Sequence, residues 1–303
     1  MDETKKIKFQ EIIKDIDDLP TLPHVVIQLM EKINAPNPNV DELAEMIMTD
    51  QVLTTQMLRI VNSAFFGLTR EISSVKETVV YLGLREIETL IYSATLTNTF
   101  EIDAPLMNRV KFWEHSFGCA LYSRIIADLM NFPGKEMAYL AGLLHDIGES
   151  IIALKLYYKF EEIVEKVRNE KITFYQAEDQ ILGITHCDFG PWLVENWLMP
   201  APISSVISYH HHVQEAKEHV TLVALVRLAD LICLYNKLDF GHKENENIKD
   251  EIIMLWRLLS KESPTLAKTD IREFMKECIS RIDSIKQTVE MVYSIQDDPT
   301  SKT

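Results

Sequence analysis

His145 and Asp146 stand side by side at the end of the apolar segment Met137–Leu144. An ionised carboxylate buried there without a partner is prohibitively unfavourable, so the pair calls for a cation, a metal or a dense hydrogen-bond network. Further imidazoles and carboxylates lie along the chain at His115, His186, His210, His211 and Asp230. Asp230 sits between apolar neighbours, and the same argument applies to it. Together these residues make a divalent metal site the leading expectation, with His115, His145, Asp146 and Asp230 as one ligand set. His186 with His210 or His211 could hold a second ion, and two adjacent ions would activate a bridging water for attack on phosphorus. Imidazole nitrogens with carboxylate oxygens suit Fe, Mn, Zn or Ni, and ligand type does not choose among them. The plainer alternative is that His186 caps a helix and His210–His212 is a surface turn. His24, His219 and His242 fit no pattern and read as surface or capping residues.

Adjacent residues on a helix point about 100° apart. His145 and Asp146 therefore meet one ion only near a helix end, which the run into Gly148 permits. The elements that must position them are helical, because apolar residues recur at helical spacing, glycine is scarce at 9 residues and strand-type alternation is absent. The expected fold class is all-α. A helix after Pro23 presents Val26, Leu29, Met30 and Ile33 on one face; a second covers about 40–49. A third, from Asp50, carries the stripe Leu53, Met57, Ile60, Val61 and Ala64 and ends at 65–67. Ser74–Glu77 reads as a capping box whose helix stops at Gly83, and another helix covers 85–100. The break at Asp103–Pro105 separates an N-terminal helical lobe, 1–105, from a second helical lobe, 106–240.

In the second lobe a helix over 106–130 carries His115, and the next closes on His145 and Asp146. Thr173–Gln176 reads as another capping box, a helix from near Thr185 carries His186, and a later one over 220–234 carries Asp230. Residues 241–303 read as accessory C-terminal helices, with 297–303 as a frayed tail. Trp113, Trp192 and Trp197 read as core rather than a base-stacking platform.

With 303 residues, 47% of them hydrophobic, the chain suffices for one large domain or two lobes. Acidic residues number 46 against 31 basic, and the net charge of −15 argues against nucleic-acid binding through a bulk field. The acidic runs Asp15–Asp18 and Glu244–Asn247 read as solvated surface. Cys119, Cys187, Cys233 and Cys278 show no CxxC spacing, so neither a zinc ribbon nor a redox pair is expected; Cys187 adjoins His186 but reads as an inert thiol. No apolar signal core and no apolar run of about 18 residues is visible. The expectation is a cytoplasmic protein with no membrane partner.

In their order along the chain these residues resemble the HD superfamily of metal-dependent phosphohydrolases. More closely, the chain resembles the HDOD group, the HD-related output domains of bacterial signalling. The likeness rests on Leu19–Pro23, Val61–Ala64, Leu82-Gly83, Trp113–Ser116, Gly142–Gly148, Trp197–Pro200 and His210-His211, and spans about residues 15–235. It implies a two-lobed all-α module in which an HD-like lobe follows the N-terminal lobe, serving as a signalling output or scaffold through protein partners. In the related cyclic-di-GMP phosphodiesterases a lysine follows the His-Asp-Ile-Gly run and a Gly-Tyr-Pro motif follows the histidine pair. Here Glu149 replaces that lysine, and His212–Glu215 stands where the second motif would begin. An acidic side chain cannot neutralise charge developing on a phosphoryl group. The first expectation is therefore a regulatory module whose pocket is poor in basic residues. The competing one is a metal-dependent phosphohydrolase acting on a nucleotide or phosphoester, although no general acid is evident. A nucleic-acid-binding regulator ranks last.

Overall fold

Helical periodicity and few glycines produce helices throughout, and among the described residues there is no strand. The computed structural model describes residues 3–15, 21–63, 66, 68–99, 107–197, 199–241 and 247–293. In chain order the helices are α1 (Glu3–Asp15), α2 (His24–Ile33), α3 (Val40–Met48), α4 (Gln51–Asn62), α5 (Val75–Leu82), α6 (Leu84–Thr99), α7 (Arg109–Met130), α8 (Lys135–Leu144) and α9 (Ile147–Lys155). They continue with α10 (Tyr157–Glu170), α11 (Phe174–Leu182), α12 (Gly190–Asn196), α13 (Ala201–Tyr209), α14 (Val220–Tyr235), α15 (Ile248–Ser260), α16 (Pro264–Lys268), α17 (Ile271–Ser280) and α18 (Ile282–Tyr293). Short 3-10 turns cover His186–Phe189 and Val213–Glu215. The expected break at 103–105, the acidic positions 16–18 and 244–246, Ala64, Phe65, Gly67, His242 and the tail at 297–303 lie outside the described residues.

The helices gather into two compact units, one joining residues 1–20 with 101–278, the other joining 21–100 with 279–303. In the smaller unit α2 buries Val26, Leu29, Met30 and Ile33, the face its sequence predicts. Helix α4 buries Leu53, Met57, Ile60 and Val61. Ser74 caps α5 by accepting from the Glu77 N–H at 3.2 Å, but the Glu77 carboxylate takes the N–H of Ser73 rather than that of Ser74. The expected reciprocal box is thus half formed. Helix α18 belongs to this unit, where the Met291 carbonyl accepts from Arg59 Nη1 at 2.7 Å.

In the larger unit α7, α8 and α14 form the centre. Helix α7 starts at Arg109, later than the sequence suggests, because Asn108 caps it by accepting from the Lys111 N–H at 3.0 Å. Gly142 sets the approach of α8 to α7: a Cβ there would lie 2.7 Å from both the Cys119 carbonyl oxygen and Ser123 Oγ. Thr173 and Gln176 form the complete capping box their spacing predicts, with bonds of 3.2 and 3.1 Å. Helix α1 packs in this unit through Lys5–Asp179 at 2.8 Å and an edge-on contact of Phe9 with Phe189. Trp113 and Trp197 are fully buried core residues, while Trp192 is half-buried. The stretch Lys135–Lys155 is long and apolar enough to cross a membrane, and 89% of its apolar window is buried inside the protein.

Candidate metal centre

The site begins with a break in a helix. Helix α8 ends at Leu144, Asp146 adopts φ −102° and ψ 11°, and α9 starts at Ile147. That change of course lets two neighbouring side chains face one point, which a continuous helix forbids. Gly148 completes the arrangement, since a Cβ there would lie 2.2 Å from the His186 carbonyl oxygen. Only glycine admits the turn carrying His186 so close to α9.

Around one point lie His115 from α7, His145 and Asp146 from the break, and Asp230 from α14. His115 Nε2 is 3.3 Å from His145 Nε2, 3.4 Å from Asp146 Oδ2 and 3.4 Å from Asp230 Oδ1. His145 Nε2 is 3.1 Å from Asp146 Oδ2 and 3.9 Å from Asp230 Oδ1. The other ring nitrogens are spoken for. His115 Nδ1–H donates to the Leu238 carbonyl at 2.7 Å, and His145 Nδ1–H to the Gly142 carbonyl at 2.8 Å. Both Nε2 atoms therefore present lone pairs to each other, a repulsive contact unless positive charge lies between them. Two nitrogens bound to one ion at about 2.0–2.1 Å, at a tetrahedral angle, sit about 3.3–3.4 Å apart. The residues fit a divalent metal.

A second cluster shares Asp146. Its Oδ1 is 3.2 Å from His210 Nε2 and 3.6 Å from His186 Nε2, and these two nitrogens are 3.5 Å apart. Nδ1–H of His210 donates to the carbonyls of Val206 and Ile207, both at 3.1 Å. His186 is held by Glu178, whose Oε2 accepts its backbone N–H at 2.9 Å and its Nδ1–H at 2.7 Å. Glu149 also lies behind this ring, with Oε1 3.6 Å from His186 Nδ1. His211 Nε2 is 3.2 Å from His186 Nε2. Arg227 Nη1 donates to His211 Nδ1 at 3.2 Å, which places the proton of that ring on Nε2. His211 thus meets the cluster as a hydrogen-bond donor, whereas His186 and His210 turn Nε2 toward Asp146, to carry either a proton or a metal ion.

Electrostatics follow the geometry. Burial works to lower the basicity of His145, but the Asp146 carboxylate outweighs it and holds the ring well above the ordinary imidazole range. Burial likewise opposes, and Cys119, Asp146 and Asp230 reverse, the shift at His115. Burial would raise Asp146, yet His145, His115 and His210 keep it well below the usual carboxylate range. Burial, His210 and Arg227 all push His211 the other way, to well below 6.5, so this ring is neutral. The cluster is a place that demands positive charge, and protons or metal ions satisfy the demand.

All seven residues singled out from the sequence meet at these two clusters; full burial excludes a surface turn for His210, and the cap before His186 is Thr185 rather than His186 itself. Sequence reasoning missed Glu178 and Arg227. Arg227 stands three residues before Asp230, donates to its Oδ2 at 2.7 Å, and grips Glu251 of α15 through Nε and Nη2 at 2.8 and 3.2 Å. An arginine inside the apolar run of α14 was the available signal. The sequence suggests a pocket poor in basic residues; Arg227 stands in it, and this cation is committed to acidic partners. Beside the clusters lies a cavity of about 60 Å³, lined by Asp146, Tyr175, His211, Arg227, Asp230 and Ile248 among others.

Comparison with known proteins bears on this arrangement. The HDOD domain profile matches residues 19–213. The fold is similar to that of an HDOD domain protein of unknown function from Geobacter sulfurreducens, 32% identical, covering 96% of this chain and 98% of the other at a TM-score of 0.82. It is also similar to a candidate signal transduction protein from Marinobacter aquaeolei VT8, 22% identical, covering 95% of this chain and 66% of that one at a TM-score of 0.72. An uncharacterized protein of Treponema pallidum (strain Nichols) is 24% identical over 263 residues, 86% of this chain, which spans only 50% of that relative's length. A profile match over most of the length, joined to an end-to-end likeness at 32% identity, places this chain in the HDOD domain family.

Proposed function

We propose that this chain is an output or regulatory module of bacterial signal transduction, cytoplasmic and acting through protein partners. In this reading its metal-holding HD-like pocket supports the unit rather than turning over a substrate. The support is the size of the space beside the clusters. Small-molecule sites occupy several hundred Å³, and this cavity of about 60 Å³ holds a few waters but no nucleotide. Ile248 of α15 forms part of its wall. Arg227, the cation in that wall, is bound to Asp230, His211 and Glu251, so it is not free to neutralise a phosphoryl group. Glu149 occupies the position of the phosphodiesterase lysine and is buried behind His186.

A second reading, a metal-dependent phosphohydrolase acting on a nucleotide or phosphoester, is favoured by the way Asp146 serves both clusters. Such a carboxylate suits two neighbouring ions in a hydrolase. Metal analysis of the purified full chain, with a phosphomonoesterase and phosphodiesterase screen, separates the two. The expected result is bound divalent metal, of one or two ions, without turnover. Hydrolysis that disappears in His145→Ala would establish the second reading instead.

A further inference from the structure

Cys119 lies one helical turn beyond His115 on α7, so both side chains project from the same face. Its sulfur is fully buried, 3.6 Å from His115 Nε2 and 3.9 Å from His145 Nε2. These are the nitrogens whose lone pairs converge. Donor atoms of His115, Cys119, His145 and Asp230 all lie within 4.8 Å of one another. A sulfur at about 2.3 Å and a nitrogen at about 2.0–2.1 Å from one tetrahedral ion are separated by about 3.6 Å. The Cys119–His115 spacing matches that value.

We propose that Cys119 is a thiolate ligand of the first metal cluster, acting with His115, His145 and Asp230. This rests on the metal-holding reading above and adds to it a choice of metal, since thiolate favours zinc and other soft or borderline ions over magnesium, calcium or manganese. On binding, the Cys119 S–H bond breaks, its electron pair forms the sulfur–metal bond and the proton leaves to solvent; no oxidation state changes. Cys187 is placed differently. Its sulfur lies 4.0 Å from His210 Nδ1, a nitrogen that already donates to backbone carbonyls, and it groups with His186, His210 and His211 at the second cluster rather than with the first. Cys233 donates toward the His115 carbonyl at 4.0 Å.

The test is titration of the metal-stripped full chain with Co²⁺, read in the near-ultraviolet where sulfur-to-cobalt charge transfer absorbs. The wild type should develop that band, Cys187→Ser should retain it, and Cys119→Ser should lose it while still binding cobalt through imidazole and carboxylate. If Cys119→Ser folds poorly, the chain carrying Cys187→Ser, Cys233→Ser and Cys278→Ser together decides, since Cys119 is then its remaining thiol and the band must persist. Cobalt bound without the band, or a band lost in Cys187→Ser, overturns the thiolate assignment while leaving the metal-holding pocket in place. A wild type that binds no cobalt and no zinc overturns both.

Discussion

Asp230 divides its oxygens between a histidine and a guanidinium: Oδ1 lies 3.4 Å from His115 Nε2, and Oδ2 accepts from Arg227 Nη1 at 2.7 Å. Arg227 thereby fixes which oxygen faces the first cluster. It also sets the tautomer of His211 in the second.

Replacing this arginine leaves a buried carboxylate without its cation, a change that costs about 3–5 kcal/mol. Arg227→Met should therefore be strongly destabilised in urea. Glu251→Gln should lose less than about 1 kcal/mol, because the Glu251 side chain is 24% exposed and its pair is partly screened. Equal stability of the two variants would remove Arg227 from its central place.

Asp146 offers one oxygen to each cluster. Asp146→Asn is expected to reduce metal content at both clusters, whereas Asp230→Asn should deplete only the first; elemental analysis of the purified variants distinguishes these outcomes. Asp146→Ala should also unfold at a lower temperature than the wild type, since the four buried imidazoles of His115, His145, His186 and His210 lose their shared counter-charge. Unchanged thermal unfolding would contradict the burial of this carboxylate.

Glu178 holds His186 by both its backbone N–H and its ring N–H. Such outer partners of a metal-binding imidazole contribute roughly 10–100-fold in affinity. Glu178→Gln keeps the shape and loses the charge, so zinc binding at the second cluster should weaken by about that factor. Calorimetric titration should show the first cluster unchanged.

Acidity gives a further check. Burial works against protonation of His210, but Cys187 and Asp146 outweigh it and raise the ring from 6.5 to about 9. A folded-state value above the unfolded one stabilises the metal-free protein fully below pH 6.5, and that contribution disappears as pH rises through about 9. Metal-free protein should therefore melt at progressively lower temperature across this window. Metal-loaded protein should show a weaker alkaline decline, because an ion replaces the proton. Parallel melting curves would argue that no ion takes the proton's place at His210.

Much of this was legible in the residues themselves. The stripes on α2 and α4, the complete capping box at Thr173 and the all-helical class follow from local spacing, which needs no tertiary knowledge. His115, His145, Asp146 and Asp230 stood out because apolar neighbours make each polar group conspicuous. Glu178 did not, because it sits in the polar-looking run of α11 and becomes informative only once His186 packs on it. The pairing of Arg227 with Glu251 spans 24 positions and two helices, and no periodicity signals it. Helix α1 was expected with the N-terminal lobe but belongs with the larger unit, through Lys5 with Asp179 and Phe9 with Phe189, contacts that sequence proximity hides.

The homology border at residue 213 falls before Arg227, Asp230 and Glu251. Any fragment excised or transplanted along that border keeps all five imidazoles of the clusters and Asp146, yet forfeits Asp230, the guanidinium and the α15 carboxylate that braces it. For cloning and domain grafting, the indivisible piece extends well past the recognisable signature, through the helices that follow it.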